Sequence, residues 1–117
     1  MTPAAIKPLV PHQALEVLDI RVGTILRVEE IPKSAKLVRL IVDFGDHQRH
    51  ILAGLKQERA NPREIEGRQS LFVVNLEPKT IMGEASQGML LDIGYADGVI
   101  PCLAVPERAV PNGVRAA

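Results

Sequence analysis

The chain has 117 residues, 46% of them apolar, with 14 Lys plus Arg set against 14 Asp plus Glu. That length and apolar content support one domain with a real core. The zero formal net charge excludes long-range attraction to nucleic acid, to a membrane surface or to an acidic substrate, so any basic site has to be local.

Residues 1–17 form an N-terminal arm with three prolines among the first thirteen residues. Neither a leader pattern nor a run of eighteen apolar residues occurs, so a cytoplasmic protein without a membrane span is expected. From Ile20 the segment IRVGTILRVEEI alternates, putting Ile20, Val22, Leu26 and Val28 on one face and Arg21, Arg27 and Glu29 on the other, which predicts a half-buried strand. KLVRLIVDFG follows with Val38, Leu40, Val42 and Phe44 in one phase, and QRHILAGL after the turn at Asp46 is its predicted hairpin partner. In NPREIEG, Asn61 is a cap, Pro62 the first helical residue and Gly67 a stop, giving a helix of one or two turns. RQSLFVVNL and SQGMLLDI are the next predicted strands, joined by about a dozen residues with too little apolar periodicity for a long helix. After the GYADG turn, GVIPCLAV holds the single cysteine, Cys102, among apolar neighbours, where a buried, inert thiol is expected. The tail VPNGVRA is interrupted by proline and suits an edge strand or packing against a partner.

Five short antiparallel strands with a small helix between the third and fourth have the make-up of an all-β, five-stranded Greek-key OB-fold barrel carrying a C-terminal extension. Strand pattern alone also leaves an SH3-like barrel or a small sandwich open.

Four stretches narrow the choice. DIRVGTI, IPKSAKL, LAGL and NLEPKTIMGEASQGMLL, in this order and spacing, resemble the tRNA-binding OB domain found at the C-terminus of many methionyl-tRNA synthetases, in a multisynthetase accessory protein and in free-standing bacterial tRNA-binding proteins. The resemblance runs from about Leu18 to Arg115 and is most specific at Asn75-Leu76-x-Pro78, Gly83 and Ser86-Gln87-Gly88-Met89. It implies a domain over residues 18–117, non-catalytic binding of tRNA by its folded shape, an aminoacyl-tRNA synthetase as partner, and a homodimer built partly from residues after about 100. A branch of the same superfamily, described as an export-related chaperone that binds unfolded preproteins, is the alternative. Two departures stand out. The family commonly writes His-Pro-Asp-Ala-Asp-Lys-Leu where this chain has Ile31-Pro32-Lys33-Ser34-Ala35-Lys36-Leu37, and many members carry Arg where this chain has Met82.

Between Lys33 and Lys79 there are nine basic residues against six acids, a local excess inside a neutral chain. Lys36 and Lys79 lie in the matching motifs and are the predicted phosphate contacts, with Lys33 and Arg39 as further candidates. Asn75 either hydrogen-bonds RNA or fixes the next loop through backbone bonds. Ser86 and Gln87 offer donors and acceptors to a ligand. Gly83 and Gly88 allow close approach or positive φ, and Met89, which opens an apolar strand, reads as core more than contact. Aromatic residues are scarce: Phe44 and Phe72 sit in strand runs, leaving Tyr95, so base stacking is a poor mode and a folded RNA suits better than a single strand. Catalytic readings lack support, because His47 and His50 have only His12 of the proline-rich arm besides them and no paired Cys to complete a metal site, and phosphate-loop and nucleophile-elbow motifs are missing. A non-catalytic chain with no metal or other cofactor is expected.

Overall fold

The computed structural model describes residues 1–117. Its organising element is β1 (Ile20–Glu30), long enough to serve two neighbours. The first half pairs with β4 (Gln69–Val73), from Ile20 opposite Val73 to Thr24 opposite Gln69. The second half pairs with β2 (Val38–Asp43), from Thr24 opposite Asp43 to Glu30 opposite Val38. Pairing on opposite edges of its two halves curls the sheet, and a bulge between Ile25 and Arg27 sharpens the bend.

The bulge also corrects the predicted phase of this strand. Val22, Ile25 and Val28 point inward and are buried, while Leu26 is only half-buried. An extra residue in a ladder exchanges the faces of whatever follows it, and strict alternation cannot anticipate that.

β2 and β3 (Gln48–Ala53) form the expected hairpin, with Val38 opposite Ala53 and Asp43 opposite Gln48. Val38, Leu40, Val42 and Phe44 are all buried, as their phase required. The predicted helix after Asn61 is a single 3-10 turn, Pro62–Ile65, whose Asn61 side chain accepts the Arg63 N–H. Ile65 enters the core from it, and the Gly67 N–H returns to the Ile25 carbonyl at 2.7 Å. Phe44 and Phe72 meet edge to face at 5.5 Å in the centre of the barrel, a favoured aromatic geometry.

β4 leads through residues 74–88 to β7 (Met89–Leu90), which pairs back onto β4 with Phe72 opposite Leu90. The sheet order is β3-β2-β1-β4-β7. The Gln87 N–H then reaches the His50 carbonyl of β3 at 2.8 Å, so the two ends of the sheet meet in the five-stranded, nearly closed barrel of an OB fold.

Beyond the barrel, β8 (Asp92–Ile93) pairs with β9 (Cys102–Leu103). Leu103 turns inward and Cys102 outward, so the thiol expected to be buried is exposed. Alternation decides this, since two residues of so short a strand cannot share one face. The tail runs along β1 through a single isolated bridge, Arg21 opposite Arg115, rather than as a full edge strand. Val114 O accepts the Val22 N–H, Gly113 donates to Val22 O and Ala116 donates to Ile20 O. At the other terminus, residues 1–18 are exposed, with a four-residue helix α1 (Gln13–Glu16) that the proline-rich sequence did not suggest. No helix is long and apolar enough to cross a membrane.

Candidate nucleic-acid interface

The block between β4 and β7, expected to be irregular, contains a hairpin. β5 (Lys79–Ile81) pairs with β6 (Glu84–Ser86) around a two-residue turn at Met82 and Gly83. Both turn residues have positive φ, +54° and +79°, the geometry whose twist matches a hairpin. Asn-Gly or Asp-Gly would have announced it, whereas Met at its first position hides the signal and places a non-glycine residue in a disfavoured region. Glycine at position 83 takes the second left-handed conformation without that strain.

The motif residues lie mostly at the foot of this hairpin. Ser86 is 7% exposed, and its hydroxyl accepts the Leu52 N–H at 3.0 Å and donates to the Gly88 carbonyl at 3.1 Å. The Gln87 side-chain carbonyl accepts the His50 N–H at 2.9 Å while the Gln87 N–H donates to the His50 carbonyl at 2.8 Å. Together they complete the seam between β3 and β7, where side-chain oxygens stand in for backbone carbonyls as acceptors of β3 N–H groups. Gly88 fits because a Cβ there would lie 2.9 Å from the Val73 carbonyl oxygen. Asn75 is exposed, yet its carbonyl accepts the Asp19 N–H and its amide donates to the Val17 carbonyl, both at 2.8 Å. Its backbone-fixing role therefore exists, and what it fixes is the entry to β1 rather than the following loop. Met89, read as core, is 46% exposed and lines a shallow apolar groove with Leu52, Leu55, Leu90 and Tyr95.

The cations sort differently. Lys33, Lys36 and Lys79 are exposed and make no ion pair. Lys33 and Lys36 belong to the connection from β1 to β2, where the Lys36 stem lies against Gly54 at the end of β3, and Lys79 opens the hairpin. Arg39 is held by Glu29 of β1 at 3.2 Å and by Glu84 of the hairpin at 2.5 Å. Hydrogen bonds to Glu84 and then Glu29 raise its pKa. It anchors the hairpin across β2, with its charge already matched by two carboxylates. Lys56 is held by Glu30 and by the Ile31 and Ser34 carbonyls, which shapes the same β1–β2 connection.

Arg49 of β3 was one of nine basic residues with nothing in the sequence to set it apart. Its Nη1 donates to the Val74 carbonyl at 2.5 Å and to the Gln87 carbonyl at 3.0 Å, the residues on either side of the hairpin segment. Phe44 and Phe72 are buried, and Tyr95 is 62% exposed beside the apolar groove.

Three likenesses to known proteins accord with this geometry. A methionine–tRNA ligase of Methanothrix thermoacetophila is 44% identical over 107 residues, covering 92% of this chain and 15% of that relative. The chain thus spans about a seventh of the length of that curated relative. A MetRS-related protein from Pyrococcus horikoshii superposes with a TM-score of 0.86 at 35% identity, covering 95% of this chain and all of that one. The chaperone CsaA from Bacillus anthracis superposes with a TM-score of 0.82 at 28% identity, covering 94% of this chain and all of that one. The profile of the family described as a putative tRNA binding domain matches residues 20–115, from the first residue of β1 to the tail paired with it, and the chain belongs to that family.

Proposed function

We propose that this protein is a non-catalytic, structure-specific tRNA binder that works in the cytoplasm beside an aminoacyl-tRNA synthetase. The observation that carries this reading is the set of exposed lysines without carboxylate partners, Lys33, Lys36 and Lys79, in the β1–β2 connection and the β5–β6 hairpin of a domain of this family. In an OB fold those two connections border the strand face used for oligonucleotides. Gly83 turns the hairpin, while Ser86 and Gln87 hold its base, so they serve binding by fixing the loop that carries Lys79, and Asn75 serves it by fixing the entry to β1.

With both phenylalanines buried, recognition rests on phosphates and shape rather than stacking. Intact tRNA should therefore outcompete poly-U at equal nucleotide concentration in a filter-binding or anisotropy assay. Equal competition would refute shape recognition. Purification with and without nuclease, followed by identification of the bound RNA, tests the function itself.

The proposed assembly is a homodimer. Tyr95, Val99 and Ile100 form an exposed apolar turn, Ile100 being 79% exposed, and covering such a patch favours association. The tail after Asn112 already pairs with its own β1, so the contact is assigned to the segment before it. Light scattering at tens of micromolar should give twice the chain mass, and a monomer would rule the dimer out.

One observation favours a second reading, an export-related chaperone for unfolded preproteins. The groove lined by Leu52, Leu55, Met89, Leu90 and Tyr95 is apolar and open, and the chain is similar to the CsaA chaperone. The same purification separates the two, since a chaperone carries unfolded polypeptide and no RNA.

A further inference from the structure

We infer that Arg49 is a positioning residue for the RNA-binding hairpin, clamping both of its feet, and that neutral His47 holds the clamp in place. This rests on the reading of the hairpin as part of a tRNA site.

The geometry is specific. A single guanidinium nitrogen, Nη1, bridges the carbonyls of Val74 and Gln87, 2.5 and 3.0 Å away. These two residues bracket the segment that contains the hairpin, so one side chain bridges its two ends just beyond the last β4–β7 pair, Val73 opposite Met89. The other side of the guanidinium is fixed as well: Nε donates to His47 Nε2 at 2.9 Å. His47 lies flat on Phe44, with ring centroids 5.6 Å apart, and Arg49 stands over the same phenylalanine ring.

The partners determine the state of the imidazole. Nδ1 lies 2.6 Å from the Asp46 carboxylate and must carry the hydrogen of that bond. Nε2 receives the Arg49 N–H and must therefore bear a lone pair. The ring that fits is the neutral Nδ1–H tautomer. Protonation puts a hydrogen on Nε2, and two donors then face each other at 2.9 Å, so the guanidinium loses its anchor.

The charged groups around the ring are Asp46 and Arg49 in contact, with Asp19 and Arg21 across the same cleft. Asp46 is held below the usual carboxylate range by its hydrogen bond to His47, and Asp19 is likewise lowered by Arg21. Both acids therefore keep their charge well below neutral pH, so the Asp46 carboxylate remains an acceptor for Nδ1–H.

The test compares tRNA affinity of the wild type and of His47→Gln, which retains an acceptor for Arg49 but does not titrate. Reading the ratio of the two dissociation constants cancels every pH effect that the two chains share. The ratio should be near one at about pH 8 and should reach about fivefold in favour of the variant near pH 5.5, the effect of one lost hydrogen bond. Arg49→Ala should weaken binding about tenfold at the higher pH and make a further His47→Gln change silent. Arg49→Lys, which reaches one carbonyl but not His47 as well, should recover part of that loss.

Hydrogen exchange supplies a readout independent of RNA. Amides of Thr80 to Ser86 should exchange faster in Arg49→Ala while the β1–β2 ladder is unchanged. Parallel pH curves for wild type and His47→Gln, or unaltered exchange in Arg49→Ala, would overturn the inference. A wild-type protein that binds no tRNA at any pH would overturn the functional reading and the positioning role with it, and the exchange data would then decide the clamp alone.

Discussion

Replacing Lys33, Lys36 and Lys79 together by alanine should weaken tRNA binding about two-hundredfold at roughly 0.1 M salt and flatten the log–log salt dependence by about 2 to 2.7. Counterion release sets this magnitude. Each ammonium that neutralises a phosphate sets free roughly 0.7–0.9 of a condensed cation, which at about 0.1 M salt is close to 0.8 of a decade in affinity. Three independent contacts multiply to the figure above. The substitutions remove no ion pair, because none of the three lysines has a carboxylate partner. The melting temperature should therefore hold within a degree or two, as expected for surface changes of about ±0.5 kcal/mol. Titrations at four salt concentrations decide the matter, and an unchanged slope would return these lysines to ordinary solvated charge.

Arg39 makes the contrast informative. It lies in the same strand region but is bridged to Glu29 and Glu84, so removing it takes away a strut between β2 and the hairpin rather than a phosphate contact. A basic residue in a promising stretch of sequence and a basic residue free to bind an anion differ only in what folds against them.

That difference marks how far the sequence could be read. The barrel itself was legible, because Val38, Leu40, Val42 and Phe44 obey a period of two and the Asn61-Pro62 cap has a local mechanism. Leu26 was assigned to the inward face, where Ile25 lies instead, because a bulge is decided by pairing with two different strands. The hairpin at Lys79–Ser86 was missed because Met82 occupies a position where Asn or Gly would have signalled the turn. Cys102 was judged by its apolar neighbours, but in a two-residue strand the next residue, Leu103, takes the inward place. Arg49 escaped for a deeper reason: its partners are main-chain carbonyls at positions 74 and 87 and a ring nitrogen, none of which leaves a mark on residue type. The motif around Ser86 was found, and the sequence carries no sign that its side chains also bond to strands of their own barrel.

Ser86→Ala should consequently act on the fold first. The hydroxyl accepts the N–H of Leu52, itself buried, at the seam where β3 would otherwise lack a partner. Removing it leaves that donor unsatisfied, at a cost of about 1–3 kcal/mol. For a chain of 117 residues each kcal/mol lowers the melting temperature by about 4 °C, so a fall of roughly 4–12 °C is expected in thermal denaturation followed by circular dichroism. Gln87→Ala should cost less, because the backbone bond from its N–H to the His50 carbonyl survives the change. Neither variant removes a positive charge, so the salt slope of tRNA binding should match the wild type while affinity falls only as far as the hairpin loses its support. The opposite pattern is equally readable: Ser86→Ala with an unchanged melting temperature but sharply weakened tRNA binding would mean that the hydroxyl turns outward to the RNA, and that the β3–β7 seam closes without it.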